Sequence, residues 1–271
     1  TDLFQEEIGK TPQIIPPKKN KNVLVCLLSQ NNYPITQSVK NIVAHLQTVN
    51  EFYKEISYNK IGFTFHVVRG PTLLHEDSPD VDPLFQNAIT VCDPFIDYNQ
   101  IDITMIYYPG PVEGYNNPLH SYGFSSEPSI FYTDDGEVKL IPQGVFRRFD
   151  WRKVSHELGH SFYPNGGDIA VSHANGLDCS DNNWVYDPCE CSVVNYGNLH
   201  DIMGDAEVGG HMTGYFKYLM GWSKMGIIEN SGKYKLRVLE KPSTEAHVLY
   251  IPSYGICFDF RRPLGFDDSL G

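Results

Sequence analysis

The sequence predicts an α+β fold. Its core is a twisted, mostly parallel sheet with two backing helices and a third helix bearing reactive side chains. A smaller irregular part follows and ends in a β-rich segment. Three observations lead there. Short apolar runs alternate with helical patterns up to Tyr108. The separations between those runs are of helix-crossover length, which implies parallel pairing with room for an antiparallel edge strand. A strong breaker, Pro164-Asn165-Gly166-Gly167, then opens a stretch rich in Gly, Asn and Asp, and the chain later turns β-rich over Lys233–Phe260. The expected division is an extended lead-in over 1–21, an upper subdomain over 22–163, and a lower subdomain over 164–271.

The elements follow in order. Val23–Leu28 (VLVCLL) is a continuous apolar run of strand length, as in a strand covered on both faces. Val39, Ile42, Val43, Leu46, Val49, Phe52, Tyr53 and Ile56 have helical spacing, with Thr36 as the expected cap. Ile61–Val68 reads as a second strand. Asp82-Pro83 starts a second helix whose buried face is Leu84, Phe85, Ala88, Ile89 and Cys92. Ile101–Tyr108 is a third strand, and Ser121–Tyr132 and Val138–Phe146 flank the Asp134-Asp135-Gly136 turn. Asp150 is the expected N-cap of the third helix.

Composition narrows the function classes. The 271 residues hold 21 basic and 33 acidic side chains, a net charge of −12, so nucleic acid is an unexpected partner. No apolar run is long enough to span a membrane, and a monomer is expected. The six cysteines (Cys26, Cys92, Cys179, Cys189, Cys191 and Cys257) suit an oxidising, secreted or cell-surface setting. Their pairing stays open; buried free thiols are the alternative, and it suits Cys26, inside its apolar run, better than the other five.

The chemistry concentrates in Asp150-Trp151-Arg152-Lys153-Val154-Ser155-His156-Glu157-Leu158-Gly159-His160. Residues four apart on a helix share one face, so the imidazoles of His156 and His160 emerge one turn apart and can reach one metal ion. Glu157 is rotated by about 100°. It is therefore placed to act on water at the position that a catalytic site leaves open. A third ligand is needed beyond the breaker. The metzincin spacing would place it at 166, which here is Gly. Two candidates remain, His173 and Asp168. His200 and His211 read as structural or exposed, and Tyr215 and Tyr218 as packing residues. Asp259 and Asp267 are weak candidates for calcium, because no loop of the calcium-binding type surrounds them.

Beyond these residues lie Ser172-His173-Ala174-Asn175 and Tyr196-Gly197-Asn198-Leu199-His200-Asp201-Ile202-Met203-Gly204, then Tyr218-Leu219-Met220-Gly221-Trp222 and Arg261-Arg262-Pro263-Leu264-Gly265-Phe266-Asp267. With the His-Glu-Leu-Gly-His helix, this series resembles the gametolysin family of metzincin zinc peptidases, over about residues 150–268. The resemblance implies a metzincin-type zincin fold, with zinc held by His156, His160 and His173, Glu157 as the catalytic base, and Met203 as the Met-turn floor beneath the metal. It favours His173 over Asp168 because Ala-Asn follows His173. Twelve residues separate His160 from His173, so the glycine turn is enlarged relative to the family.

The expected activity is that of a secreted zinc endopeptidase that cleaves extracellular proteins or glycoproteins by metal-activated water. Its substrate would lie extended along a strand edge within Leu119–Phe131, with Gly166–Ser172 lining one side. The alternatives are a zincin with Asp168 as third ligand, and a non-catalytic adhesin or glycan-binding domain that retains zinc.

Overall fold

A computed structural model of the chain describes residues 20–73, 81–112, 122–123, 128–162, 171, 173–178, 192–204 and 210–270. The chain forms two compact units. One comprises Lys18–Tyr53 and Ile61–Phe162; the other comprises Thr1–Pro17, Lys54–Lys60 and Tyr163–Gly271.

The first unit is built on a mostly parallel sheet. Strand β1 (Asn20–Gln30) lies between β2 (Gly62–Leu73) and β3 (Ile103–Tyr107), parallel to both. Strand β6 (Gly136–Phe146) continues the sheet parallel to β3. The short β4 (Tyr122–Gly123) and β5 (Ser129–Thr133) both run antiparallel to β6. The central strand is apolar along its length because both of its faces are covered: Val23 through Leu28 are fully buried. On one face, Leu24, Cys26 and Leu28 meet Leu84, Phe85, Ala88 and Ile89 of helix α2 (Val81–Cys92). Those helical positions have the three-four spacing that the sequence displays.

Helix α1 (Val39–Ile56) starts after Ser38, whose hydroxyl accepts from the Asn41 amide at 3.2 Å. Ser38 therefore caps the helix in place of Thr36, whose hydroxyl lies 3.5 Å from that of Tyr107. Serine just ahead of the first turn satisfies an amide that has no carbonyl partner within the helix. Near the other end, Tyr53 packs its ring edge-on to Phe63 of β2 and against Phe162.

The free-thiol alternative fails at Cys26. It is bonded to Cys92, at the end of α2, across 66 residues of sequence. An apolar run suggests a buried thiol, yet the helix lying on that face ends with a second cysteine opposite. Both are fully buried. Among the described residues Cys257 is free, and Cys179, Cys189 and Cys191 lie outside them.

The second unit holds shorter elements. Strands β7 (Gly176–Asp178) and β8 (Ser192–Val194) pair antiparallel. The six-residue helix α4 (Gly214–Leu219) is capped by Thr213. Strand β10 (Val248–Ile251) lies between β9 (Met225–Ile227), which is parallel to it, and β11 (Ile256–Asp259), which is antiparallel. Among the described residues, no helix is long and apolar enough to cross a membrane.

The disulfide closes a long loop, and the chain-entropy relation puts its contribution at about 4 kcal/mol. Cys92→Ala should lower the unfolding free energy by an amount of that order. The loss should be read by urea denaturation beside the wild type, and adding reductant to the wild type should reproduce most of it.

Candidate metal centre

Helix α3 (Trp151–Gly159) is fixed at its start, middle and end. Ahead of it, the Gln37 amide makes paired bonds with the main chain of Phe149, accepting at 2.7 Å and donating at 3.0 Å. Phe149 in turn stacks on Tyr107 and Phe146. Asp150 is extended and its carboxylate accepts from the Arg152 amide at 2.9 Å, the N-cap that the sequence predicts. At the middle, the buried Tyr53 hydroxyl donates to the Ser155 carbonyl at 2.6 Å. At the end, the Lys21 ammonium donates to the Ser161 carbonyl at 2.9 Å and sits 5.0 Å from the Phe162 ring centroid. A cation there complements the helix C-terminus.

This helix presents His156 and His160 as expected. Their Nε2 atoms lie 3.3 Å apart, with the rings inclined at 78°. A tetrahedral ion about 2.0–2.1 Å from each of two nitrogens would separate them by about 3.3–3.4 Å. The pair therefore already has the spacing that such an ion demands. One ring nitrogen from each of His156, His160 and His173 lies within 4.8 Å of the others, close enough for the three to bind a metal ion. Neutral imidazoles suit a borderline cation better than the hard, oxygen-seeking calcium or magnesium. Burial raises the Glu157 carboxyl to about 8. A cation alongside would favour the carboxylate and draw that value down. Asp168 lies outside the described residues.

His173 stands on irregular chain, and its main chain is held by the loop around Met203. The Ala174 amide donates to the Met203 carbonyl at 2.8 Å, and the Asn198 amide donates to the Ala174 carbonyl at 3.2 Å. The approach is close enough to require glycine at 204, where a Cβ would lie 1.9 Å from the Asn198 carbonyl oxygen. The Tyr196 ring covers the His173 imidazole, with centroids 3.7 Å apart. Met203 itself is fully buried.

The loop is supported from below by buried charge. Asp201 accepts from the Met203 amide at 2.7 Å and from the Thr213 amide at 2.5 Å. Arg261 donates to the carbonyls of His200 and His211 and to Asp259, and its guanidinium lies 3.9 Å from both Asp201 and Asp267. The aspartates considered for calcium thus face a cation that the chain supplies itself. His211 is fully buried between Glu55 and Lys217, at 2.8 and 2.9 Å. Burial, with Lys217 adjacent, pushes its imidazole down to about 4 despite Glu55. Lys217 is buried too and pushed down to about 7. These residues serve structure, as the sequence reading holds for His211, while His200 is exposed.

Sequence reasoning misses two parts of this arrangement. The role of Arg261 depends on Asp201 and on the carbonyls of His200 and His211, all distant from it in the chain. The Tyr196 contact depends on a backbone turn, of which the Tyr196-Gly197 pair is the sole local sign. No protein-family model matches the chain, and no curated protein matches it.

Two aspartates give the second unit a pH signature. Burial raises Asp201 to about 6, and raises Asp267 to about 7 against the pull of Arg261. Asp267 Oδ2 and Glu240 Oε2 are buried with no donor among the described residues, and a hydrogen bond between the two carboxyls needs a proton on one of them. A raised folded value means that the protonated form is favoured by folding. The stability from these groups is therefore complete below their ordinary value of 3.8. It is lost as pH rises through about 6 and then about 7. Asp267→Asn keeps the acceptor for the His211 amide and gains a donor toward Glu240. At pH 8 it should be no less stable than wild type. Its stability–pH slope between about pH 5 and 8 should be shallower by up to about 1.4 kcal/mol per pH unit, the value for one proton, as read from urea midpoints.

Proposed function

We propose that the chain is a secreted zinc-dependent endopeptidase of the gametolysin-like metzincin kind, acting on extracellular proteins or glycoproteins. The observation that carries the reading is the His156–His160 pair on α3. Its Nε2 atoms are spaced for one tetrahedral ion, and the half-buried Glu157 lies between them in sequence. His173 is assigned as the third ligand, supported by the proximity of its ring nitrogen to the other two. Zinc is the preferred metal because three imidazoles suit it, and three protein ligands leave a position open. When bound, the ion supplies Lewis acidity toward water and toward a carbonyl oxygen.

The remaining chemistry falls to the chain's own residues. Glu157 takes a proton from water at its carboxylate oxygen as the water attacks the scissile carbonyl carbon. It then delivers that proton to the departing amine nitrogen. The carboxylate is needed for this step, and a purely structural zinc site has no use for it. A substrate in extended form fits the outer edge of the sheet. There β4 and β5 pair with β6 alone as strands among the described residues, and Ile130 is exposed, whereas the main chain of Tyr132 is already bonded to the Gln86 side chain. The disulfide supports an oxidising compartment.

Glu157→Gln should retain one equivalent of zinc and lose about 10²–10⁴-fold in hydrolysis of casein or gelatin, the usual range for a general base. His160→Ala should lose the metal as well. Full hydrolysis by Glu157→Gln defeats the peptidase reading. Zinc binding without any hydrolysis by the wild type over a broad peptide library favours the adhesin alternative.

A further inference from the structure

Strand β5 has β6 on one side and, among the described residues, no strand on the other. Successive residues of a strand turn their main-chain groups to opposite sides. The register runs unbroken from Ser129↔Leu140 to Thr133↔Gly136, so Ile130 and Tyr132 face the same way. That way is outward: the Tyr132 amide donates to Gln86 Oε1 at 3.1 Å, and the Tyr132 carbonyl accepts from Gln86 Nε2 at 2.7 Å. One carboxamide on α2 thus offers the acceptor and the donor that a residue of a neighbouring strand would offer. The amide and carbonyl of Ile130 point to the same side and have no partner among the described residues.

Other groups hold the β5–β6 hairpin in place. The Asp93 carboxylate accepts from the Asp134 amide at 2.6 Å, and the buried Phe131 packs against Phe85 with ring centroids 6.4 Å apart. The Gln86 bonds are exposed, so water can replace them, and releasing the side chain returns its rotamer freedom. The side chains of Ile130 and Tyr132 are exposed on one face of the strand, where they offer apolar contacts to alternate residues of an added strand.

We propose that the Gln86 carboxamide is a displaceable plug on the β5 edge, and that this edge docks the main chain of an extended peptide. The peptide pairs with Ile130 and takes over the Tyr132 pair as Gln86 swings out. Main-chain bonds supply the affinity, so an extended form is recognised over a fixed sequence. That the docked peptide is a substrate rests on the proposed peptidase reading; the docking itself needs neither metal nor hydrolysis.

The test uses the full chain in a Glu157→Gln background, so that a peptide survives titration, with Gln86→Ala and with Gln86→Ala plus Ile130→Pro. The probe is a short fluorescein-labelled peptide alternating threonine and valine between terminal lysines, read by anisotropy beside its counterpart N-methylated at alternate amides. Gln86→Ala should bind the plain peptide about tenfold more tightly than the parent, since two hydrogen bonds no longer have to be broken. Ile130→Pro should abolish the gain and leave the sheet intact, because the amide it removes faces outward. The N-methylated peptide should gain nothing. The proposal is overturned if Gln86→Ala binds no tighter, if the gain survives Ile130→Pro or N-methylation, or if Gln86→Ala melts well below the parent, which would make Gln86 a structural tie. A Gln86→Ala dimer that withstands the peptide in sedimentation assigns the edge to a second copy and overturns it too. With Glu157 restored, Gln86→Ala should lower KM for casein and leave kcat unchanged. Absence of any hydrolysis there defeats the peptidase reading, while the anisotropy titration still decides the plug.

Discussion

A guanidinium cannot shed its charge, so burying one obliges the fold to surround it with acceptors. Arg261 imposes that obligation on the second unit. It draws in Asp201, Asp259 and Asp267 and takes up the carbonyls of His200 and His211. Asp201, held there, orders the turn around Met203 by accepting from the main-chain amides of Met203 and Thr213. The turn then holds Ala174, and Ala174 carries His173 with it. A charge near the end of the chain thus sets the backbone of a proposed ligand nearly ninety residues earlier, through hydrogen bonds that can each be named. Such burial gives little net stability. What it supplies is a single arrangement, since few other placements would satisfy so many groups at once.

The first unit reaches rigidity by ordinary means. Strand β1 is covered on both faces, α2 is packed and tied on one side, and α3 is gripped by Gln37 through Phe149, by Tyr53 and by Lys21. A helix so fixed needs no further device to aim two imidazoles four residues apart. The irregular chain around His173 has no such geometry to rely on.

How much was legible in the sequence follows from the range of the interactions. Asp150 as N-cap, the buried face of α2, the VLVCLL strand and the His156–His160 spacing all express contacts within a few residues or a strict periodicity, and they were readable. Ser38 caps α1 in place of Thr36 because both are hydroxyl residues at a helix start and the tertiary fold decides which of them caps. The partner of Cys26 stays open in the sequence because an apolar run describes the environment of a side chain and is silent about what faces it. Asp259 and Asp267 suggested a bound cation because acidic residues require one; that the cation is Arg261 is a fact of packing. The left-handed turn at Tyr196 runs against the preference of its own side chain, so no propensity argument reaches it.

Lys217 leads to a practical point. Its amine is wholly enclosed, donating to His211 Nδ1 and to the Leu239 carbonyl and lying 4.8 Å from the Tyr58 ring centroid. An acylating reagent in solution meets the surface lysines at once, but reaches this one only when the surrounding shell opens. Once open, the amine regains its ordinary basicity. Mass spectrometry of the peptide bearing residue 217 would therefore time the opening of that shell, using a reporter the protein already contains.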